Sequence, residues 1–175
     1  QCNIDTGMGL ERMAQILQGV PNNYETDLIR PLLEKISLLL DVDYSKLPDK
    51  DQVSFKVIAD HMRACVHLIC DGVLANNLGR GYVLRRLIRR AVRHGRLLGL
   101  NQPFLNQIGD VAISLMKTSY PQLSEKRDFI CKELLKEEVR FLETLDRGES
   151  LLNNLLASNP TEITGQQAFE LYDTY

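Results

Sequence analysis

Apolar residues recur at intervals of three and four along most of the chain, the period of helices that bury one face. Leu10, Met13, Ala14 and Leu17 mark the first such stretch. Thr6 is placed to cap it, and Gly19 with Pro21-Asn22-Asn23 to end it. Leu28, Leu32, Leu33, Ile36 and Leu40 form a second pattern. Pro31 within it predicts a first-turn position or a kink. The polar segment 41–51, which contains Pro48, reads as a loop. A third helix carries Val53, Val57, Ile58, Met62, Cys65, Val66, Ile69 and Val73, with Gly72 near its end, and Asn76-Asn77-Leu78-Gly79 reads as a turn.

A fourth helix has its apolar positions at Leu84, Leu87, Ile88, Ala91, Val92 and Leu98. Gly99 and Pro103 separate it from a short helix around Ile108, Val111, Ala112 and Leu115, which Pro121 breaks. A long helix is predicted from about Ser124 to Leu156, with the stripe Ile130, Leu134, Phe141, Leu145, Leu152 and Leu155. The stripe is not a strict heptad, so a core scaffold is preferred to a coiled-coil interface. Thr164-x-x-Gln167 has the form of a capping box and opens a last helix through Phe169 and Leu171. No alternating strand pattern occurs. The fold class expected is all-α: a helical bundle with one long helix and at most a short strand remnant at the N-terminus, around Cys2-Asn3-Ile4.

With 175 residues, 44% of them hydrophobic and 25% charged, the chain can bury a core of one domain or slightly more. No apolar run approaches the roughly 18 residues that a membrane span needs, so no membrane is expected as a partner. Gln1 to Gly9 show no basic region followed by an apolar one, so no signal peptide is read there. The four cysteines, Cys2, Cys65, Cys70 and Cys131, are irregularly spaced, which argues against a disulfide framework and fits reduced thiols inside a cell. His61-x3-Cys65-x-His67-x2-Cys70 holds metal-capable side chains. Positions 61, 65 and 69 share one helical face, however, so the stretch reads as core and no metal site is expected.

The net charge of −2 hides a segregation. Residues 72–109 contain no Asp, Glu or Lys, but seven arginines: Arg80, Arg85, Arg86, Arg89, Arg90, Arg93 and Arg96. Arg85, Arg89 and Arg93 form one row at helical spacing, extended by Arg96, and Arg86 and Arg90 form an adjacent row. The helix can bury its apolar side and present guanidinium groups on the other. Like charges one turn apart repel. Three readings follow: a solvated face, a face neutralised by the acidic stretch Glu133, Glu137 and Glu138, or a phosphate-binding stripe. Exclusive use of Arg favours the last, because its planar fork suits bidentate contacts to phosphate.

Asp5-Thr6-Gly7-Met8-Gly9-Leu10-Glu11-Arg12 places two glycines ahead of a helix, where a ligand can approach the backbone, and an arginine in its first turn. The spacing matches neither a dinucleotide-binding glycine fingerprint nor a P-loop.

Taken together these segments resemble alanyl-tRNA synthetases. Asp5 to Arg12 is similar to motif 3 of class II aminoacyl-tRNA synthetases in the form that family carries. Arg80-Gly-Tyr-Val-Leu-Arg-Arg-Leu-Ile-Arg-Arg-Ala-Val-Arg93 resembles its tRNA-recognition region. So do Ala59-Asp60-His61 with Asp71-Gly72, and Leu171-Tyr-Asp-Thr-Tyr175. The likeness covers essentially the whole chain, in family order.

The resemblance implies a piece of a longer ligase, inactive by itself. Residues 1–20 would be the end of the class II catalytic domain and 21–175 a helical tRNA-recognition domain. It implies ATP and Mg2+ as substrates of the full enzyme, with zinc only in an editing region outside this chain. Arg12 would be the catalytic motif 3 arginine that holds ATP phosphate. Asp5 would bind the alanine ammonium, and Gly7 and Gly9 would line the adenylate pocket. The partners implied are alanine, ATP and the acceptor stem of alanine tRNA, marked by a G·U wobble pair. Asn77 and Asp173 would read the exposed guanine amino group, while Arg80, Arg85, Arg86, Arg89, Arg90 and Arg93 hold backbone phosphates. The compartment implied is the cytoplasm, or a plastid or mitochondrion where the whole chain carries a transit peptide. The rival readings are a non-enzymatic helical nucleic-acid-binding module and a protein-interaction scaffold whose Arg helix docks on an acidic partner.

Overall fold

The computed structural model describes residues 7–158 and 163–174. Eight α-helices occur among them, and no strand. Cys2-Asn3-Ile4 and the proposed cap Thr6 lie outside the described residues. The helices are α1 (Leu10–Gln18), α2 (Arg30–Leu40), α3 (Asp49–Cys70), α4 (Gly79–Leu97), α5 (Leu105–Met116), α6 (Gln122–Glu125), α7 (Arg127–Ser158) and α8 (Gly165–Thr174).

Local chemistry explains most of these bounds. Gly9 starts α1 at φ 78, and Gly19 ends it in the left-handed region. Pro31 sits in the first turn of α2, where the missing N–H costs no helical bond. Pro48 precedes α3, and Asp49 and Asp51 place negative charge at the positive end of its dipole. At α8, Thr164 N–H donates to Gln167 Oε1 at 3.0 Å, and Gln167 N–H donates to Thr164 Oγ1 at 3.3 Å. That is the reciprocal capping box expected from the sequence.

The core lies between α2, α3, α4, α5 and the first half of α7. α3 packs along α4, and α7 closes over α4 and α5. Leu32, Leu33, Ile36, Phe55, Ile58, Met62, Leu84, Ile88, Leu105, Ile108, Ile130 and Leu134 are all fully or almost fully buried. Cys65 is buried among them, as the helical face 61, 65, 69 predicts, and burial pushes its thiol up to about 12.

Four expectations change. The loop 41–51 contains a short helical turn, Tyr44–Lys46, whose buried Tyr44 packs on Phe55 with ring centroids 5.4 Å apart, and α3 begins within it, at Asp49. The long helix is present as α7 but starts later, at Arg127: the short α6 ends at Glu125, and its cap Lys126 is held by its Nζ donating to the Cys70 carbonyl at 2.7 Å. The stripe of α7 is buried at Ile130, Leu134, Phe141 and Leu142 but is only half-buried at Leu145, Leu152 and Leu155. Finally, α1 buries no residue; Leu10, Ile16 and Leu17 are 67%, 72% and 79% exposed. Its helical periodicity is real, and Met13 and Ala14 are half-buried, but Leu10 and Leu17 of the same predicted face stay open to solvent.

Candidate nucleic-acid interface

Helix α4 carries the arginine stripe, and its phase divides the seven guanidinium groups into two sets. Gly81, Leu84, Ile88, Ala91, Val92 and Gly95 face the core. Arg85, Arg89 and Arg96 lie beside α7. Arg89 Nε donates to Glu137 Oε1 at 3.1 Å, and its guanidinium carbon stands 5.0 Å from the centroid of the Phe141 ring. Arg85 Nε lies 3.1 Å from the same Glu137 oxygen, off the line of a hydrogen bond. Arg96 pairs with Asp146 and, at 3.3 Å, with Glu149.

Arg80, Arg86, Arg90 and Arg93 form the second set. All four are exposed, and none makes an ion pair or hydrogen bond among the described residues. Arg86, Arg90 and Arg93 follow one another at successive turns, with Tyr82 and Val83 exposed before them. A groove of about 530 Å³ runs between Arg86, Arg90, Arg93, His94 and Phe141. His94 is held below the ordinary imidazole range, first by burial and then by Arg90 and Arg93, which favours its neutral form. Its Nδ1 lies 3.0 Å from Ser54 Oγ. Three of the free cations, Arg86, Arg90 and Arg93, are thus concentrated on one helical face, with Arg80 apart from them in the first turn, an arrangement that attracts a polyanion.

Of the acidic stretch, only Glu137 answers the stripe. It is 4% exposed and lies between Arg85 and Arg89. Glu133 pairs instead with Lys136. Glu138, fully buried, accepts from the backbone N–H groups of Phe104 and Leu105 and so caps α5 from a distance. Sequence reasoning grouped the three acids together; helical phase separates them, since adjacent positions 137 and 138 point about 100° apart.

Asn77 stands exposed in the turn ahead of α4. The turn is pinned from several sides. Asn76 Oδ1 accepts from Leu78 N–H at 2.8 Å, and Asn76 N–H donates to the Gly81 carbonyl at 3.2 Å. Arg85 Nη1 donates to Asn77 Oδ1, and Arg85 Nη2 donates to the Ala75 carbonyl at 3.4 Å. A Cβ on Gly81 would collide with the Leu74 carbonyl oxygen and the Asn76 amide, so the turn can lie against α4 only because residue 81 is glycine. Asn76 and Gly81 have no role assigned from the sequence, because their partners are backbone groups that leave no periodic trace, whereas Glu137 is one of the three acids that the sequence offers as a neutraliser of the stripe.

At the other end, Gly7, Gly9 and Arg12 lie together at the start of α1. Gly9 has the left-handed φ that a side chain would strain, and Arg12 is exposed with no partner among the described residues. Glu11 ties α1 to α3 through Arg63 at 2.6 Å. Asp5 lies outside the described residues. Asp173 falls in α8, but its side chain is outside the described ones. The metal-capable run on α3 does not converge. His61 Nδ1 meets Asp60 at 3.0 Å, and His67 meets Met116 and Tyr120. Among the described residues no group of three or more His, Cys, Asp or Glu could hold a metal ion, and no helix is long and apolar enough to cross a membrane.

The pattern that defines the family described as tRNA synthetases class II (A) matches residues 1–175. The chain belongs to the class II tRNA synthetases. It is similar to an alanine–tRNA ligase of Prochlorococcus marinus (strain MIT 9211), 72% identical over 174 residues, which is 99% of this chain and 20% of that relative. The enzyme of the same name from another strain of Prochlorococcus marinus is 70% identical over 174 residues, again 99% and 20% of the two chains. One from Synechococcus sp. (strain RCC307) is 66% identical over 173 residues, with the same coverage. The chain therefore spans about a fifth of the length of these synthetases. The all-α fold expected from its periodicity is the fold observed for this stretch.

Proposed function

We propose that this chain is the part of an alanine–tRNA ligase that holds the acceptor stem of alanine tRNA and supplies the motif 3 arginine to the activation of alanine by ATP. The observation that carries the RNA half is the set Arg80, Arg86, Arg90 and Arg93, exposed on one helix and engaged in no ion pair or hydrogen bond among the described residues, with only Arg90 close enough to Asp60 to help hold that carboxyl below its ordinary range. Guanidinium groups in this arrangement bind backbone phosphates and set the position of a stem without reading its sequence. The docking alternative is partly met inside the molecule, since α7 supplies the acids for Arg85, Arg89 and Arg96.

Reading falls to other residues in this proposal. A G·U wobble pair leaves the guanine 2-amino group unpaired in the wide, shallow minor groove of RNA. A protein needs a hydrogen-bond acceptor there. Asn77, exposed at the start of the Arg helix, supplies an amide oxygen, and Asp173 a carboxylate. Their family counterparts and the likeness to alanine–tRNA ligases support this reading.

ATP and Mg2+ would be substrates of the whole enzyme. Arg12 is an exposed guanidinium one turn into α1, fit to neutralise a phosphate. Gly7 and Gly9 leave the backbone ahead of it open, and Asp5 would bind the alanine ammonium. The proposed boundary near residue 20 is supported by burial: α1 buries nothing, whereas α2 to α5 and α7 share one core. A cytoplasmic site of action is proposed from the kind of reaction.

The test compares acceptor stems carrying G·U and G·C. Asn77→Ala in the full-length protein should weaken the G·U stem by about 1–3 kcal/mol and the G·C stem little, by analogy with other base-specific contacts. Equal weakening of both stems would make Asn77 a turn residue or a backbone contact.

A further inference from the structure

The side chain of Asn77 is held by a group that has a counterion of its own. Arg85, 14% exposed, is wedged between α7 and the turn. Its Nε faces Glu137 at 3.1 Å, its Nη1 donates to Asn77 Oδ1, and its Nη2 donates to the Ala75 carbonyl at 3.4 Å. A planar guanidinium fixed on three sides has little freedom left. This makes a relay from a buried carboxylate on α7, through α4, to an exposed amide.

An exposed asparagine amide has two chemically opposite ends, an oxygen that accepts and an NH2 that donates. A half-turn about its last bond exchanges them. A guanine 2-amino group is a donor, so it pairs with the oxygen and is repelled by the NH2. Arg85 carries donors only, so the same oxygen must face it. The oxygen has two lone pairs: Arg85 takes one, and the other remains for a ligand.

We propose that Arg85, anchored by Glu137, is a positioning residue for recognition, setting Asn77 so that its amide oxygen rather than its NH2 is offered to the guanine amino group. The inference rests on the reading of Asn77 given above. It assigns Arg85 a task distinct from that of Arg86, Arg90 and Arg93, which have no such internal partners among the described residues.

The experiment is a double-mutant cycle on the full-length protein. Affinities for the G·U and G·C stems are measured at one salt concentration for wild type, Arg85→Lys, Asn77→Ala and the double variant. A lysine keeps the charge, but its single ammonium cannot reach Glu137, Ala75 and Asn77 together. Arg85→Lys should lower the preference for the G·U stem, and should lower it no further when Asn77 is already alanine. Glu137→Gln, which removes the anchoring charge at almost constant shape, should lower the preference in the same direction and carries the test if Arg85→Lys does not fold. Equal weakening of both stems by Arg85→Lys, or effects on preference that add fully in the double variant, would overturn the inference. If Asn77→Ala abolishes the preference and Arg85→Lys and Glu137→Gln leave it intact, only the inference falls. If the wild-type protein shows no preference, the reading of Asn77 falls, and the inference with it.

Discussion

Glu137 Oε1 lies 3.1 Å from Arg89 Nε, and the carboxylate is 4% exposed. A carboxylate this deeply buried is costly unless it is paired, and here Arg85, Arg89 and, at 3.9 Å, Arg140 face it. Removing it would leave Arg85, itself nearly buried, without a counterion. Glu137→Ala should therefore destabilise the domain by about 3 kcal/mol, toward the low end for breaking a buried pair because Arg89 can still turn to water. Glu137→Gln should cost less. Chemical denaturation measures both. A loss under about 0.5 kcal/mol for Glu137→Ala would place the pair among surface ion pairs.

Gly81 offers a case in which two effects have opposite signs. Alanine in place of a helical glycine ordinarily stabilises, by about 1 kcal/mol in a helix interior and by less in the first turn, where Gly81 lies. At residue 81 the added methyl would meet the Leu74 carbonyl oxygen and the Asn76 side chain, and backbone cannot give way cheaply. Overpacking of this kind costs about 1–3 kcal/mol. Gly81→Ala should therefore lower the unfolding midpoint. A raised midpoint would show that the 74–77 turn does not lie against α4 as described.

The buried face of α4 was legible because Leu84, Ile88, Ala91 and Val92 repeat with the helical period, and the start of α8 because Thr164 and Gln167 stand at capping-box spacing. The division of the arginines was not legible. Which of them meet α7 depends on how two helices pack, through residues 48 positions apart, and local spacing carries no record of that. The break at Lys126 has the same character, since the residue is held by a carbonyl of α3. Leu10 and Leu17 show the converse: their spacing predicts an amphipathic helix correctly but cannot name what covers it. Within the candidate site, Arg12 and Asn77 were found by resemblance, while the supports of Asn77 emerged only from contacts.

Glu138 makes stability depend on pH. Burial raises its carboxyl to about 7, against the pull of hydrogen bonds from Phe104 and Leu105 N–H. The native state therefore binds this proton more tightly than the unfolded chain does, so its contribution to stability is full below about pH 4.5 and is lost as pH rises through about 7. The span corresponds to a change on the order of 3 kcal/mol. Glu138→Gln removes the titration. Relative to wild type, the variant should gain stability between about pH 5 and about pH 8, as read from denaturation at both values. An equal difference at the two pH values would contradict this assignment.

The central claim, that the free arginines of α4 hold RNA phosphates, is tested most directly by the salt dependence of binding to an acceptor-stem RNA. The log–log slope for the wild-type protein should be steep, and Arg90→Ala should lower it by roughly 0.7 to 0.9 while weakening G·U and G·C stems alike. Arg96→Ala, whose guanidinium is engaged by Asp146 and Glu149, should leave the slope nearly unchanged. A slope that Arg86→Ala, Arg90→Ala and Arg93→Ala all fail to change would contradict the account.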